Sequence, residues 1–130
     1  MDGAKVGGQA PVLEGLRVLI VEDEALVSMM LEDMLTGFGC VIAGIAATVA
    51  EGLAAVDRVD GIDVAILDVN LGGQEVFPVA DALIERRAPI VFSTGFAPAD
   101  LARRYPHSRL LSKPYTLEPL AKILSEAVGR

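Results

Sequence analysis

The chain has 130 residues, 52% of them hydrophobic, with one cysteine and a formal charge of −7 at pH 7. That is enough apolar side chain for the core of a single domain, and one thiol excludes an internal disulfide. The acidic balance, with basic residues paired only at Arg86-Arg87 and Arg103-Arg104, argues against nucleic-acid binding. No apolar stretch suits a signal peptide or a bilayer span, so a cytoplasmic protein without membrane contact is expected.

Residues 1–15 hold four glycines and little periodicity and are expected to form a flexible tail before one domain over 16–130. Val18–Val21 is continuously apolar, as a buried strand should be. A helix follows over 25–38, where Leu26, Met30 and Met34 recur at four-residue steps beside Val27, Leu31 and Leu35; Gly37 and Gly39 stop it. Cys40 is expected as a small buried residue opening a strand over Val41–Ile45. Thr48-Val49-Ala50-Glu51 fits a capping box and opens a helix to about Val59, with core face Val49, Leu53 and Val56. Val64–Leu67 is the third strand, and Asn70–Gln74 is a turn-rich loop. Val76, Val79, Ala80, Leu83 and Ile84 mark a third helix ending at Arg86-Arg87. After a fourth strand over Ile90–Ser93, only a short helix fits between Pro98, suited to a first turn, and Arg104. Arg109–Ser112 is the fifth strand, and Thr116 caps a last helix with inner face Leu117, Leu120, Leu124 and Val128. Strands alternating with helices predict an α/β fold: a flavodoxin-like, doubly wound (βα)5 sandwich with a central five-stranded parallel sheet and a short fourth helix.

Four of these strands end in polar groups: Glu22-Asp23-Glu24, Asp68, Ser93-Thr94-Gly95 and Ser112-Lys113-Pro114. In a parallel sheet all strand ends lie on one edge, so these groups converge. One acid at a helix start is satisfied by capping. Three in a row, beside a fourth, repel one another unless a cation joins them, and hard carboxylate oxygens suit Mg²⁺. Asp68 is either a turn-capping residue or a nucleophile that takes a phosphoryl group as an aspartyl phosphate. Such transfer gains mostly from positioning and charge neutralisation, which a bridging metal supplies. The Thr94 hydroxyl and Lys113 ammonium suit phosphoryl oxygens. Pro114 biases Lys113 towards extended backbone and permits a cis bond.

These motifs, Val21-Glu22-Asp23-Glu24, Leu67-Asp68-Val69-Asn70-Leu71, Ser93-Thr94-Gly95 and Ser112-Lys113-Pro114-Tyr115, occur in an order and spacing that resemble the response-regulator receiver domain of bacterial two-component signalling. The resemblance covers 17–130. It implies Asp23 and Asp68 as direct Mg²⁺ ligands, Glu22 acting through water, and the Asn70 backbone carbonyl as a third protein ligand. It further implies Asp68 as phosphoacceptor, Thr94 as the switch hydroxyl and Lys113 as the phosphate-pairing lysine. Two departures stand out. Leu110 occupies the position, three before the lysine, where many receivers carry a switch aromatic, and the stretch from Thr94 to Lys113 is short. With Phe92-Ser93-Thr94-Gly95-Phe96 these features resemble the single-domain subgroup with a Phe-Ala-Thr-Gly signature, associated with the general stress response of alphaproteobacteria.

The resemblance implies a sensor histidine kinase or histidine phosphotransfer protein as phosphodonor. It also implies a downstream protein on the face made by the fourth helix, fifth strand and fifth helix, where a homodimer is also compatible. With the chain ending at Arg130, the expectation is a stand-alone receiver serving as switch, relay intermediate or phosphate sink. It would catalyse only its own phosphorylation and dephosphorylation. The alternative is a phosphorylation-independent interaction module, which loss of the acids or of Lys113 would favour. An aspartyl-phosphate phosphatase would carry a second acid where Asn70 stands. Asn70 and Phe96 would flank the path of a hydrolytic water, and an apolar Phe96 suggests slow dephosphorylation. Tyr105 and Tyr115 are read as either partner-facing or partly buried, and His107 as solvent-exposed.

Overall fold

The computed structural model describes residues 13–130. In chain order the elements are β1 (Arg17–Val21), α1 (Ala25–Gly37), β2 (Val41–Ala46), α2 (Val49–Arg58), β3 (Val64–Asp68), α3 (Phe77–Glu85), β4 (Ile90–Thr94), α4 (Leu101–Arg104), β5 (Arg109–Ser112) and α5 (Leu117–Val128). The five strands form one parallel sheet in the order β2-β1-β3-β4-β5, the doubly wound arrangement expected from the alternation. Between β3 and α3, Asn70–Leu71 pairs antiparallel with Gln74–Glu75 across Gly72 and Gly73, both at positive φ, so the expected loop is a tight hairpin.

The sheet separates two halves of the core. On one face Leu19, Val21, Leu67 and Phe92 meet α2, α3 and Tyr105; on the other Val18, Ile20, Ile66 and Val91 meet α1 and α5. Of the stretch expected as a tail, 1–12 lies outside the described residues. Leu13 is buried in the second half of the core, and the Gly15 N–H donates to the Gly39 carbonyl at 2.8 Å.

Several helix faces differ from the sequence expectation, each for a geometric reason. A four-residue step overshoots a helical turn by about 40°. The row of Leu26, Met30 and Met34 therefore starts in solvent, at 80% exposure, is still 44% exposed at Met30 and meets the core only at Met34, while Leu31 and Leu35 are fully buried. In α2 the buried residues are Gly52, Ala55 and Val56, and Leu53 turns outward. A Cβ at Gly52 would lie 2.9 Å from Val79 Cγ2, so α2 approaches α3 at a point with no room for a side chain. Ile84 and Leu117 are exposed, leaving α3 to pack through Phe77, Val79, Ala80 and Leu83 and α5 through Leu120 and Leu124.

The caps also differ in detail. Thr48 Oγ1 accepts from Glu51 N at 3.0 Å, but Glu51 Oε1 accepts from Ala47 N at 2.8 Å, one residue before the cap. Thr116 occupies the N-cap of α5 with extended backbone, yet its side chain makes no capping bond. Pro98 lies outside α4: the Leu101 N–H donates to its carbonyl at 3.2 Å, closing a turn that leads into the helix.

Cys40 is buried just before β2, and burial pushes its thiol up to about 11. A disulfide-exchange reagent at about pH 8 should leave the native thiol unmodified over a time that labels it fully in guanidinium. Labelling at equal rates would place Cys40 in solvent. Gly52→Val should lower unfolding free energy by about 1–3 kcal/mol through overpacking against Val79. A urea midpoint equal to wild type would mean that α2 and α3 separate freely.

Candidate functional site

The register of the sheet determines what meets at its carboxyl edge. Val21 pairs with Leu67, Asp68 with Ser93, and Thr94 with Ser112. Glu22 and Asp23 therefore leave β1 beside Asp68 at the end of β3, and Lys113 leaves β5 beside Thr94. Lys113 Nζ lies 3.2 Å from Asp68 Oδ2 and 3.0 Å from Glu22 Oε1. Glu22, Asp23 and Asp68 each present an oxygen within 4.8 Å of the others.

Each carboxylate is oriented by a backbone donor. Glu22 Oε2 accepts from Glu24 N at 3.1 Å, Asp23 Oδ2 from Gly72 N at 3.0 Å, and Asp68 Oδ1 from Asn70 N at 3.3 Å. Asn70 uses its side chain locally, where Oδ1 accepts from Gly73 N at 2.9 Å and closes the hairpin.

Glu22 is 3% exposed, and burial is the main cause that pushes its carboxyl up to about 7. The negative charge of Asp68 adds to that rise, whereas the Glu24 N–H and Lys113 oppose it. For Lys113, burial alone would favour the neutral amine, but Glu22 and Asp68 outweigh it and raise its affinity for the proton. Glu22 Oε1 is buried and, although paired in charge with Lys113, receives no aligned hydrogen bond. An under-satisfied buried carboxylate oxygen beside two further carboxylates is a donor set that fits a hard divalent cation such as Mg²⁺.

Thr94 reaches the same edge half-buried, but its hydroxyl is engaged in its own loop. Oγ1 donates to the Phe96 carbonyl at 3.0 Å and accepts from Phe96 N at 3.1 Å. Phe96 is 88% exposed. Leu110 is likewise exposed. Both tyrosines are buried rather than partner-facing. Tyr105 stacks on Phe77 at 5.4 Å between ring centroids and donates to Asp81 Oδ1 at 2.8 Å. Tyr115 shares a hydrogen bond with Ser93 Oγ, and His107 is exposed as expected.

Ser93 was absent from the candidates read from sequence. The available signal was strand alternation: as the register partner of Asp68, Ser93 projects from the same face of the sheet. The Asp23–Gly72 bond, which ties the hairpin to β1, had no sequence signal because it joins a side chain to a backbone group 49 residues away.

Residues 18–125 match the family model described as response regulator receiver domain. Among solved structures, SdrG from Sphingomonas melonis Fr1 is 44% identical with a TM-score of 0.76, covering 91% of this chain and 98% of that one. PhyR from Brucella abortus is 25% identical with a TM-score of 0.79, covering 95% of this chain and 52% of that one. The transcriptional regulatory protein PdtaR of Mycobacterium tuberculosis is 34% identical, covering 88% of this chain; the match spans only 57% of that relative's length.

Proposed function

Because residues 18–125 make this chain a member of the response-regulator receiver family, a family of signalling domains, we propose that it is a phosphorylation-controlled switch whose phosphoacceptor is Asp68. The observation that carries this reading is the Asp68 carboxylate, held by Lys113 at 3.2 Å and lying within 4.8 Å of the oxygens of Glu22 and Asp23. Asp23, Asp68 and the Asn70 backbone carbonyl would hold Mg²⁺ directly, with Glu22 acting through water. An ion held there would supply neutralisation of the negative charge that gathers during phosphoryl transfer. An Asp68 oxygen attacks the phosphorus of a phosphohistidine; the O–P bond forms as the P–N bond breaks, and the imidazole nitrogen leaves with the electron pair. Lys113, anchored by Glu22, pairs with the phosphoryl oxygens as they leave the donor.

The readout runs through Thr94. To donate to the phosphoryl group, its hydroxyl must release the Phe96 carbonyl, which removes a bond that shapes the loop between β4 and α4. That biases an equilibrium between two loop arrangements. The phosphodonor is a sensor histidine kinase or a histidine phosphotransfer protein. The output surface is the face of α4, β5 and α5, which serves a downstream protein or a second copy of the chain. No described helix is long and apolar enough to cross a membrane.

Incubation with acetyl phosphate and Mg²⁺ should add one phosphoryl group by intact mass, and Asp68→Asn should abolish the gain. A wild type that takes no phosphoryl group from acetyl phosphate or from a phosphorylated histidine kinase would overturn the reading in favour of a phosphorylation-independent module. Mg²⁺ at 100 times its Kd should raise unfolding free energy by about 2.7 kcal/mol. Asp23→Asn should shift that stabilisation to higher Mg²⁺ concentration; an unchanged titration would remove Asp23 from the metal site.

A further inference from the structure

The reaction groups sit on loops, and most of those loops are tied down by bonds already described. The segment carrying Lys113 has fewer backbone ties. The sheet ladder ends at the Thr94–Ser112 pair, α5 begins only at Leu117, and Thr116 contributes no capping bond. Between them the backbone is tied to β4 by the Lys113 N–H, which donates to the Thr94 carbonyl at 3.1 Å. A long, flexible ammonium side chain must nevertheless be delivered to a point between Glu22 and Asp68.

Two side chains close the gap. Ser93, 1% exposed, and Tyr115, 7% exposed, share a hydrogen bond across the two loops. Ser93 lies next to Thr94 and in register with both Asp68 and Leu111. Tyr115 is two residues beyond Lys113, with its ring packed in the core beside Leu120 and Leu124. We propose that Ser93 and Tyr115 are positioning residues for phosphoryl transfer. Their shared hydrogen bond fixes the backbone on either side of the site, so that Thr94 and Lys113 approach the phosphoryl group as one unit. The inference rests on the reading of Asp68 as phosphoacceptor.

The electrostatics agree with this placement. The Tyr115 hydroxyl holds its proton more tightly than usual, first because it is buried. The hydrogen bond with Ser93 and the charge of Lys113 weaken that hold, and the charges of Glu22 and Asp68 strengthen it. The phenol is thus within the field of the acidic centre while touching none of its carboxylates. It is positioned to direct Lys113 without competing for Asp68.

The test is a double-mutant cycle of Ser93→Ala, Tyr115→Phe and the pair. Ser93→Ala leaves the phenol without its partner, and Tyr115→Phe leaves the Ser93 hydroxyl orphaned. The double variant leaves neither, so stability lost in a single variant should largely return. Phosphorylation by acetyl phosphate should be slower by about tenfold in each single variant and should stay slow in the double, because a displaced reacting group costs rate irrespective of stability. Mg²⁺ affinity should remain within about twofold of wild type, since neither residue is a ligand. Amide exchange at Lys113 should accelerate in all three variants, while the β1–β3 ladder stays protected. Wild-type rates in Tyr115→Phe, or rates that recover with stability in the double variant, would overturn the proposal. If wild type itself accepts no phosphoryl group, the Asp68 reading fails separately, and exchange at Lys113 still decides whether the pair positions that segment.

Discussion

Two buried carboxylates, Glu22 and Asp68, share the ammonium of Lys113, and the architecture of the carboxyl edge follows from that need. Neither acid tolerates burial without a partner, and one cation cannot satisfy both fully. Glu22 shows the shortfall: one oxygen is capped by the Glu24 N–H, the other lacks an aligned donor, and the carboxyl is pushed up to about 7. The arrangement is left short of positive charge, which a divalent cation would supply. It requires β1, β3 and β5 to finish at one level, which parallel pairing through β4 provides.

Around that centre the backbone does most of the orienting. Asp23 accepts from Gly72, Asp68 from Asn70, and Asn70 in turn from Gly73, so the hairpin after β3 is tied to β1 and to itself. Thr94 stands apart because its hydroxyl is spent on its own loop.

Much of this was legible from sequence because it depends on periodicity and on where strands stop. Four apolar runs ending in acid, acid, hydroxyl and lysine are enough to place Glu22, Asp23, Asp68, Thr94 and Lys113 on one edge of a parallel sheet. The helix faces were less legible. Leu26 and Met30 fit a four-residue repeat but drift off the core face, and Leu53 and Leu117 point outward although their spacing suits burial. At Gly52 the deciding factor is a contact with Val79 on another helix, which no local pattern encodes. Ser93 and Tyr115 read as a small polar residue and an ambiguous aromatic. Their meaning appears only once two loops from different strands are brought together.

The close approach of α2 to α3 at Gly52 has a mechanical consequence. On that flank Val79 meets bare backbone, and any sliding of one helix over the other brings atoms into collision before it relieves strain elsewhere. The opposite end of the sheet carries α4, four residues long and entered through a turn at Pro98. That short helix is held through its side chains, with Leu101 buried and Tyr105 stacked on Phe77 and bonded to Asp81. The two flanks thus differ in what fixes them: a side chain against bare backbone at Gly52 on one, and a stack of aromatic rings behind a single helical turn on the other.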